Sequence, residues 1–522
     1  MTREEIPVLI VGGSMIGLSS AMLLGHHGVP SLSVERHAGT AIHPRAGHFQ
    51  LRTLEVLRQV GLEDDVRAAS LLTYHPTGGI NAVESLAGRE IATYVKELNE
   101  GVEGFSPTVR VFVNQDVLEP ILRRRAIELG ATVRNRIEAV DLKQDDSGVT
   151  VTLRDLASAD ESTVRARYVI AADGNRSPMR ARLGIAMEGY GELSRSITIY
   201  FKADCARLLA GRNQGVIYVH NPALRGFMRL DRTGGTGFLV INTVGEDVTR
   251  PEAINVSDGL TDERARELLR AAIGTDDVPI EVVDVAHWRA ESNVATAMRA
   301  GRVFLAGDAA HVVPPNGGYG GNTGVQDALN LAWKLAAVIK GEAGETLLDT
   351  YDAERRPLAR LTVEQAYTRY AMRVVPERGM DDAEPFVDDL TMELGLVMRS
   401  SAVIADAGSE DDGGLHVHPT LARGRPGTRA PHVALGDDRS TLDLFGRDFA
   451  LLHGPRAAGA DVPAPVTDHV IAAEGFPEDY GISAEGATLV RPDGVVGWRS
   501  HGAYAGDEIR NALSAILARE RA

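Results

Sequence analysis

A glycine-rich segment near the amino terminus, Gly12-Gly13-Ser14-Met15-Ile16-Gly17, has the residue types and the spacing to bind a phosphate group. It follows the apolar segment Ile6–Val11, which is typical of a buried strand, and it opens a segment with a helical pattern. In such a turn the backbone approaches a dinucleotide pyrophosphate, and the N-terminus of the helix attracts its negative charge. The usual pattern has glycine at the third position, where this chain has Ser14. The segment therefore predicts a dinucleotide site with one departure.

Glu35 is a second candidate binding residue. It ends the next predicted strand, Ser31–Val34, about twenty residues beyond the glycine turn. A carboxylate at this place accepts hydrogen bonds from the ribose hydroxyls of a nucleotide. The alternative interpretation is a plain turn between a strand and a helix, with a glutamate there by chance.

A third segment places polar residues after a predicted buried strand, Tyr168–Ala172. The chain continues with Asp173, Gly174 and the arginines Arg176, Arg180 and Arg182. An acidic residue, a glycine and a basic run in this order are typical of a turn near bound phosphates. Taken alone, the same pattern also describes an ordinary β-turn with solvated arginines.

The segment Arg302–Gly324 carries the most specific pattern. A predicted buried strand, Val303–Ala306, brings Asp308 to its carboxyl end, where open α/β sheets bind ligands. Five glycines in the eight residues 317–324 permit close backbone approach to a flat ligand. The predicted helix Thr323–Ile339 would direct its positive end at that ligand, which suits a flavin because the ring gains negative charge on reduction. The alternative is a flexible loop.

Together these segments resemble the group A flavoprotein monooxygenases, and among them the aromatic polyketide hydroxylases and the phenol hydroxylases. The resemblance is carried over residues 5–365 by GGSMIGL, by ADG at 172–174, and by GRVFLAGDAAH with its extension PPNGGYGGNTGVQDALNLAWKL. Ser14, Tyr319 and Gly321 depart from the usual pattern. A less specific likeness relates the carboxyl-terminal part to the thioredoxin-like domain of these enzymes. Without a CxxC pair, that domain is expected to be structural or to serve association.

The resemblance implies FAD as the cofactor and a contact for each of several residues. Gly12, Gly13, Ser14, Ile16 and Gly17 would lie against the pyrophosphate, with Glu35 and Arg36 at the adenosine ribose and Val140 at the adenine. Gln115 would touch the ribityl chain or the ring, Asp308 the hydroxyls of the ribityl or pyrophosphate side, and Gly320, Gly321 and Asn322 the flavin ring. Asp173 belongs to a motif associated with both FAD and NAD(P)H.

Three residues are candidates for a part in catalysis. The segment Pro44-Arg45-Ala46 resembles the loop whose arginine reaches the FAD phosphates or the flavin. Arg45 and His48 are candidates to help ionise a phenol, which reacts faster as its anion. Pro315 lies in the loop Pro314–Gly321, which is expected to form one wall of the reaction site. The alternative for His48 is an ordinary residue of the pocket lining or the surface.

The reaction implied by the resemblance is hydroxylation of an aromatic ring. NAD(P)H would reduce FAD, O2 would add to give a C4a-hydroperoxyflavin, and an oxygen atom would pass to an electron-rich phenol or quinone. The long chain favours a polycyclic, polyketide-type substrate, as in antibiotic biosynthesis. Baeyer–Villiger oxygenation or epoxidation by the same flavin chemistry is an alternative, and a non-catalytic FAD-binding protein is another. The sequence does not distinguish NADH from NADPH, or a monomer from a homodimer.

The composition limits other function classes. The formal net charge of −17 repels phosphate backbones and argues against nucleic-acid binding. The single cysteine, Cys205, excludes an intrachain disulfide and a cysteine-based metal site, and no metal site is predicted. No run of about 18 apolar residues and no leader-like segment is found, so a cytoplasmic protein without membrane association is expected.

The elements that position these residues predict an α/β fold with a Rossmann-like FAD-binding domain. Short alternating strands then indicate an antiparallel sheet, at Ile197–Phe201, Gly215–Val219, Gly226–Leu230 and Gly237–Ile241. The expected domains are a discontinuous FAD-binding domain (1–182 and 290–395), an inserted antiparallel-sheet domain for the substrate (183–289), a linker (396–425) and a thioredoxin-like carboxyl-terminal domain (426–522). At 522 residues the chain is long enough for three such units.

Overall fold

Helices and strands alternate along the residues that this computed structural model describes, which are 4–43, 45–210, 212, 214–242, 259–375, 380–406, 413–457, 462 and 464–519. Pro44 of the predicted arginine loop and residues 407–412 of the predicted linker lie outside the described residues. The helices described are α1 (Met15–His26), α2 (Leu51–Gln59), α3 (Glu63–Thr73), α4 (Gln115–Glu128), α5 (Pro178–Arg182), α6 (Ala206–Leu209), α7 (Asp262–Ile273), α8 (Tyr319–Ile339), α9 (Asp349–Arg373), α10 (Asp389–Leu394), α11 (Pro419–Ala422), α12 (Phe476–Asp479) and α13 (Gly506–Ile516). Single turns of 3-10 helix span Gly307–Ala309, Glu345–Leu348 and Thr441–Leu444.

The strands described are β1 (Glu4–Val11), β2 (Ser31–Glu35), β3 (His48–Phe49), β4 (Gly79–Val83), β5 (Glu90–Val95), β6 (Val111–Phe112), β7 (Thr132–Asn135), β8 (Ile137–Asp145), β9 (Gly148–Asp155), β10 (Glu161–Ala171), β11 (Met187–Ala203), β12 (Gln214–Asn221), β13 (Leu224–Leu230), β14 (Thr236–Asn242), β15 (Ile280–Ala295), β16 (Arg299–Ala300), β17 (Val303–Leu305), β18 (His311–Val312), β19 (Ala434–Gly436), β20 (Arg439–Ser440), β21 (Phe449–His453), β22 (Val466–Val470), β23 (Ala487–Val490) and β24 (Val496–Ser500).

The first sheet is parallel at its centre. Its strand order is β16-β17-β10-β1-β2-β7, in which β1 runs parallel to both β10 and β2. Val8, Leu9 and Ile10 are fully buried, because both faces of β1 are covered and every side chain must therefore be apolar. The strand predicted before the glycine turn and the helix predicted after it are confirmed to within two residues.

The second sheet is antiparallel except at one pairing. Its order is β18-β15-β11-β14-β13-β12-β4-β5, with β12 and β4 parallel. The four short strands predicted between Ile197 and Ile241 are confirmed as parts of β11, β12, β13 and β14. On one face Ile199, Leu239 and Met228 pack against helix α7 in a core of their own. On the other face Tyr200, Phe238 and Val240 form a second buried cluster, against which Phe227 and Trp288 pack.

Some strands gave no signal in the sequence. β15 pairs with β11 along its length, although charged residues interrupt its apolar pattern. β4 and β5 lie within 1–182, the range predicted for the first domain, yet they join the second sheet through β12. Such a pairing joins segments far apart in the chain and leaves no local pattern. β7 and β8 are divided at Arg136, whose φ of 59° turns the chain from one strand into the other.

The carboxyl-terminal sheet has the order β22-β21-β23-β24. β21 is parallel to β22 and antiparallel to β23, and β24 is antiparallel to β23, which is the thioredoxin-like arrangement expected from the sequence. Ile509 and Leu513 of α13 belong to the same core as Trp333 of α8, so this sheet is packed directly onto the first unit. In the described part of the chain no helix is both long and apolar enough to cross a membrane.

A buried group of four charges fastens the carboxyl-terminal sheet to helices α8 and α9. Glu354 accepts hydrogen bonds from Lys334 at 2.7 Å and from the two terminal nitrogens of Arg491 at 2.7 and 3.0 Å. Nε of Arg491 also donates to Asp493 at 3.0 Å, in the turn between β23 and β24. These four side chains are at most 1% exposed. Two positive and two negative charges thus balance each other away from water.

Replacing Glu354 by Gln is expected to destabilise the protein by about 3–5 kcal/mol, because Lys334 and Arg491 would stay buried with too little negative charge. The midpoint of chemical unfolding measures the loss. The control is Glu281→Gln, which breaks an exposed pair with Lys202 and should cost less than about 1 kcal/mol. Equal midpoints for the two variants would show that the buried group contributes no net stability.

Candidate active site

The predicted binding residues lie along one edge of the first sheet. The strands β2, β1, β10 and β17 are neighbours in that order, and the segments that follow their carboxyl ends carry Glu35, Gly12, Asp173 and Asp308. With neighbouring strands about 4.8 Å apart, the edge from Glu35 to Asp308 is about 14 Å long. Open parallel sheets bind ligands at this edge. It can therefore hold a single extended molecule.

The glycine turn after β1 leaves no room for side chains. A Cβ at Gly17 would overlap the carbonyl oxygen of Gly12, and a Cβ at Gly12 would overlap the carbonyl oxygen of Ala172. Gly12 also has a φ of +115°, which favours glycine. The turn is as tight as a phosphate-binding pattern requires, and the positive end of α1 begins directly after it.

Helix α8 begins at Tyr319, four residues before the predicted start at Thr323. Gly318, with a φ of 69°, turns the chain into the helix. Gly320 and Gly321 consequently lie in the first turn of α8 rather than in a loop. The first four N–H groups of a helix have no acceptor within it, so those of residues 319–322 need partners from outside.

Helix α8 and the glycine turn touch through Ile16. A Cβ at Gly324 would lie 2.6 Å from Cδ1 of Ile16, and a Cβ at Gly307 would lie 2.7 Å from Cγ1 of the same side chain. A Cβ at Gly321 would lie 2.5 Å from Cε of Met15. The glycine turn near the amino terminus and both Gly307 and Gly324 of the segment Arg302–Gly324 therefore meet around one side chain.

Glu35 is bound to the glycine turn itself. Its Oε2 accepts a hydrogen bond from the N–H of Gly13 at 2.7 Å, and its Oε1 accepts one from the N–H of His37 at 2.8 Å. Glu35 is buried, whereas Arg36 beside it is exposed. The carboxylate fixes the turn relative to β2, at the place where the ribose is expected.

Glu119 of α4, a buried carboxylate that the sequence analysis did not identify, organises the start of α1. Its Oε1 accepts hydrogen bonds from Ser14 Oγ at 2.5 Å, from the N–H of Met15 at 2.9 Å and from Gln115 Nε2 at 2.7 Å. It thereby satisfies a free N–H group at the positive end of the helix. Ser14 suits the third position of the turn because its hydroxyl reaches this carboxylate. The available signal was the four-residue spacing of Gln115 and Glu119, which puts both on one face of α4.

The predicted arginine loop bridges the two sheets. At one end Gln115 Oε1 accepts a hydrogen bond from the N–H of Ala46 at 3.2 Å. Towards the other end His43 stacks on Tyr200, with the ring centroids 4.4 Å apart, and its Nε2 lies 2.6 Å from Asp284 of β15. The residues on either side of Pro44 thereby connect the start of α4 with strands β11 and β15 of the second sheet.

Asp308 lies in the single turn Gly307–Ala309 that follows β17, and it is exposed. Protein surrounds it nonetheless: burial raises the pKa of Asp308, and the charges of His311 and Arg45 oppose that shift. Arg45 is exposed as well, so a negative and a positive side chain both face the groove.

His311, Asp327 and Arg355 form a buried triad that ties the Asp308 segment to α8 and α9. Asp327 Oδ2 accepts a hydrogen bond from the N–H of Gly307 at 3.1 Å and lies 2.6 Å from His311 Nε2. Asp327 Oδ1 accepts one from Arg355 Nε at 2.9 Å. Burial would raise the pKa of Asp327, but His311 and Arg355 hold it below its usual range. The sequence signal for this triad was Asp327, a charged residue within the largely apolar helix α8.

Asn322 uses its side chain to tie α8 to α2 and β3. Its Oδ1 accepts hydrogen bonds from the N–H of Gln50 at 3.0 Å and from the hydroxyl of Thr53 at 2.6 Å. Its Nδ2 donates to the carbonyl oxygens of His48 at 3.0 Å and Gly318 at 2.6 Å. The side chain is fully engaged within the protein, so a ligand can meet Asn322 at its backbone.

Asp173 and Val140 take part in local structure. Asp173 accepts hydrogen bonds from Ser177 Oγ at 2.5 Å and from the N–H of Met179 at 3.0 Å, which holds the turn after β10. Val140 lies in a bulge of β8, and its carbonyl oxygen accepts a hydrogen bond from Arg182. Backbone at a bulge leaves the regular ladder and is open to other contacts.

His48 lies against the loop that precedes α8. A Cβ at Gly318 would be 2.9 Å from Nδ1 of His48, and the His48 ring faces Phe112 with the centroids 5.4 Å apart. Burial, together with the charge of Arg110, lowers the pKa of His48 to about 3. The ring is therefore neutral at pH 7 and is a poor proton acceptor, which counts against the catalytic part predicted for it.

The second sheet presents an aromatic wall to this loop. Its residues, in two cross-strand rows, are Tyr200, Phe238 and Arg229, and then Thr198, Val240, Phe227 and Tyr218. Asn316 Nδ2 donates to the hydroxyl of Tyr218 at 3.3 Å, so the wall and the loop touch at that point. Pro315, next to Asn316, is exposed. Four of the seven side chains of the wall, those of Tyr200, Phe238, Phe227 and Tyr218, are aromatic.

Arg229 is a buried cation with no acidic partner among the described residues. Its guanidinium lies between Tyr74 and Phe112, 4.1 and 4.6 Å from their ring centroids. Nη1 donates to the carbonyl oxygen of Gly47 at 2.9 Å, whereas Nε and Nη2 have no hydrogen bond in that part of the chain. Burial lowers the pKa of Arg229, yet a guanidinium stays charged at neutral pH. The fixed positive charge of Arg229 therefore lies against Phe112, the ring that His48 also contacts.

Two protein families match this chain. Residues 5–366 match the family described as FAD binding domain, and residues 423–519 match the family described as aromatic-ring hydroxylase, C-terminal. The first match contains both sheets that form the groove. The second contains the thioredoxin-like sheet.

Similar proteins cover the chain almost completely. A 4-methyl-5-nitrocatechol 5-monooxygenase from Burkholderia sp is 54% identical over 99% of this chain and 98% of its own. Tetracenomycin A2 monooxygenase-dioxygenase from Streptomyces glaucescens is 40% identical over 99% of this chain and 98% of its own. The crystal structure of aklavinone-11 hydroxylase with FAD and aklavinone has a TM-score of 0.92 at 36% identity, over 99% of this chain and 100% of that chain. The expected fold, with its FAD-binding and carboxyl-terminal domains, is confirmed.

His48→Gln is expected to flatten the pH dependence of stability. The pKa of His48 is about 3 in the folded protein, against 6.5 for an unperturbed histidine. Since the unfolded chain takes up a proton that the folded protein refuses, stability falls as the pH is lowered from 7 to 5, by about 2 kcal/mol from this residue. Chemical unfolding of both proteins at the two pH values measures the difference.

The matched control is His287→Gln, at an exposed position of β15. It should leave the difference between pH 7 and pH 5 as it is in the wild type. If His48→Gln kept the full wild-type difference in stability between pH 7 and pH 5, the fold would not be what keeps the His48 ring neutral.

Proposed function

Since the chain belongs to the FAD-dependent aromatic-ring monooxygenases, we propose that FAD lies along the carboxyl edge of the first sheet, with the aromatic substrate between the loop 314–319 and the second sheet. The observation that carries the proposal is the meeting of the glycine turn, Gly307 and Gly324 around Ile16. It brings the glycine turn, the end of β17 and the start of α8 together at this edge. NAD(P)H is the reductant typical of this class.

The adenosine half of FAD is proposed to lie between β2 and the glycine turn. Glu35 and Arg36 are at the ribose and the bulge at Val140 is at the adenine. Glu35 already binds the N–H groups of Gly13 and His37, but carboxylate oxygens have further lone pairs for ribose hydroxyls. The pyrophosphate is placed at the start of α1, against Gly12, Gly13, Ser14, Ile16 and Gly17.

The flavin half is proposed to run past Asp308 to the start of α8. Gln115 lies beside its path, and Arg45 adds a positive charge. The backbone N–H groups of Gly320, Gly321 and Asn322 are at the positive end of the helix, where they would stabilise the negative charge of a reduced ring. Asp173, which holds the neighbouring turn, is proposed to act on the cofactor through that turn.

The groove fits FAD in its shape and its charge. Side chains at Gly12 or Gly17 would overlap neighbouring backbone, so only glycine keeps the turn tight enough for direct backbone contact with phosphate. The first turns of α1 and α8 and the exposed Arg45 all offer positive charge to this groove. Two phosphates and a reduced ring need that arrangement.

When bound, FAD supplies the redox and oxygen-activating chemistry of the family. The protein's part is to hold the substrate ring close to the flavin and to exclude water. The aromatic wall and the loop with Pro315 are proposed to do both. His48 is neutral and is proposed to line this space, whereas Arg45 is proposed to contact the cofactor.

Two substrate classes are supported by the relatives. The structure of aklavinone-11 hydroxylase, with a TM-score of 0.92, supports a polycyclic phenol, which the sequence analysis favoured. The relative from Burkholderia sp, at 54% identity, supports a single-ring nitrocatechol. The proposal common to both is a phenolic ring that gains one oxygen atom.

We also propose the domain limits 1–182 and 290–395, 183–289, 396–425 and 426–522, with one amendment. The hairpin of β4 and β5 is assigned to the substrate domain. Its parallel pairing with β12 supports this assignment.

The holoprotein is expected to oxidise NAD(P)H faster when a phenol is added, and to give a product with one more oxygen atom. A panel of polycyclic phenols, simple phenols and 4-methyl-5-nitrocatechol, with NADH and NADPH in turn, identifies the substrate class. NMR of the product distinguishes ring hydroxylation from a Baeyer–Villiger product or an epoxide by the position of the oxygen. If the protein bound FAD but no phenol stimulated its NAD(P)H oxidation, the result would favour the alternative of a non-catalytic FAD-binding protein.

Gly17→Ala is expected to weaken FAD binding at least about tenfold, or about 1.4 kcal/mol, because the methyl group would overlap the Gly12 carbonyl oxygen and open the turn. Titration of apoprotein with FAD, followed by flavin fluorescence, measures the affinity. Gly39→Ala is the control, since a Cβ there meets open space. Unchanged affinity in Gly17→Ala would place the pyrophosphate elsewhere.

A further inference from the structure

His43 joins the arginine loop, of which the structure describes residues 36–43 and 45–47, to the second sheet. Its imidazole ring stacks on Tyr200 of β11, with the ring centroids 4.4 Å apart and the ring planes at 17° to each other. Its Nε2 lies 2.6 Å from Oδ2 of Asp284 on β15. Tyr200 and Asp284 are directly opposite each other on these two paired strands. A single side chain of the loop therefore contacts both strands.

The two partners of His43 are held by the second sheet itself. Tyr200 is buried in the cluster that it forms with Phe238. Oδ1 of Asp284 accepts a hydrogen bond from the N–H of Val285 at 2.8 Å, which orients the carboxylate towards His43. The side chain of His43 is nevertheless 28% exposed, and that of Asp284 is 50% exposed. Because both reach water, this contact can break without opening a hydrophobic core.

The loop is also anchored to helix α4, on either side of His43. The N–H of Ala41 donates to Oε2 of Glu119 at 2.6 Å, and the N–H of Ala46 donates to Oε1 of Gln115 at 3.2 Å. Both anchors are hydrogen bonds of the backbone to buried side chains of the first unit. His43 lies between them in the sequence and contacts the second sheet instead. The loop is thus fastened to one sheet at two points and to the other sheet between them.

The two anchors place the loop at the starts of helices α1 and α8. Glu119, which binds Ala41 through Oε2, accepts a hydrogen bond from the N–H of Met15 through Oε1 at 2.9 Å, at the start of α1. A Cβ at Gly321, in the first turn of α8, would lie 3.7 Å from the Cβ of Ala46. The loop therefore extends from the place proposed for the pyrophosphate to the place proposed for the flavin ring.

We propose that the contact of His43 with Tyr200 and Asp284 is a latch that closes the arginine loop across the bound cofactor, and that FAD enters and leaves when this latch opens. The inference rests on the place proposed above for FAD. The three side chains are positioning residues, because they hold the loop and do not touch the cofactor. No covalent step is involved, so the latch acts on the rates of cofactor exchange.

Opening is confined to the part of the loop around His43. The anchors at Ala41 and Ala46 stay closed, and the carbonyl oxygen of Gly47 stays bound to the buried Nη1 of Arg229 at 2.9 Å. Arg45 is exposed, and it lies two residues after His43. A closed latch keeps the positive charge of Arg45 beside the cofactor, and an open latch lets it withdraw.

His43→Ala removes both the ring stack and the bond to Asp284. Because the latch holds the loop rather than the cofactor, its loss should lower the barrier to passage in both directions. The rate of FAD release should rise about tenfold, which corresponds to about 1.4 kcal/mol. The rate of FAD binding should rise as well, so the dissociation constant should change less than about threefold. Mixing the holoenzyme with an excess of a second apoflavoprotein, which captures free FAD, measures release, and flavin fluorescence after mixing apoprotein with FAD measures binding.

A coupling measurement separates the latch from a general structural effect. Asp284→Ala removes one part of the contact and should raise the release rate about threefold. His43→Phe keeps a ring for Tyr200, so its release rate should lie between those of the wild type and His43→Ala. The double variant of His43→Ala and Asp284→Ala should release FAD no faster than His43→Ala alone, because both changes act on one contact.

Two exposed positions of β15 provide the matched controls. Glu281→Ala removes an exposed carboxylate that pairs with Lys202, and His287→Ala removes an exposed histidine. Neither side chain belongs to the latch, so both variants should release FAD at the wild-type rate.

An unchanged release rate in His43→Ala would overturn the proposal, and so would effects of the two single changes that multiply in the double variant. A dissociation constant that rose as much as the release rate would also overturn it, because His43 would then act on FAD directly. If His43→Ala does not fold, Asp284→Ala replaces it, and an unchanged release rate in that variant would have the same meaning. The function proposed above fails separately, since unchanged FAD affinity in Gly17→Ala would refute the place of the pyrophosphate and leave the latch to the release rates.

Discussion

The approach of helix α8 to the glycine turn is a contact at backbone distance, and the rest of the site depends on it. Ile16 fills the space between Gly307 and Gly324, and no larger residue at either glycine would leave room for it. Glycine inside a helix costs about 1 kcal/mol relative to alanine, so α8 gives up intrinsic stability for this fit. The buried triad around Asp327 secures the same contact from the other side of Gly307. This contact fixes the glycine turn, the segment after β17 and the start of α8 relative to one another.

Local patterns in the sequence predicted much of this arrangement. The strand–turn–helix at Gly12 and the four strands from Ile197 to Ile241 have periodic signals that need no distant partner. The start of α8 was predicted four residues late, because glycines normally interrupt helices and only packing against Met15 and Ile16 favours them there. Strands β4, β5 and β15 were missed because long-range pairing, not local alternation, forms them.

The same limit applies to the side chains of the site. Glycines and carboxylates at turns could be identified, since turns have recognisable residue types. Glu119, Asp327 and Arg355 lie on helices, where a charged residue normally faces solvent. Their functions depend on partners that come from other parts of the chain. Ser14 and Tyr319, two of the three departures from the family pattern, each donate a hydrogen bond to a carboxylate, Ser14 to Glu119 and Tyr319 to Asp389.

The buried group of Lys334, Glu354, Arg491 and Asp493 has a consequence for how such a protein can be built. The carboxyl-terminal part contributes half of these charges, and α8 and α9 contribute the other half. A truncated chain would keep the buried pair of Lys334 and Glu354, but Glu354 would lose both of its hydrogen bonds from Arg491. Recombination that exchanged this part between homologues would succeed only where both halves of the group were inherited together. The thioredoxin-like part is therefore not a detachable module, although its sheet is separate.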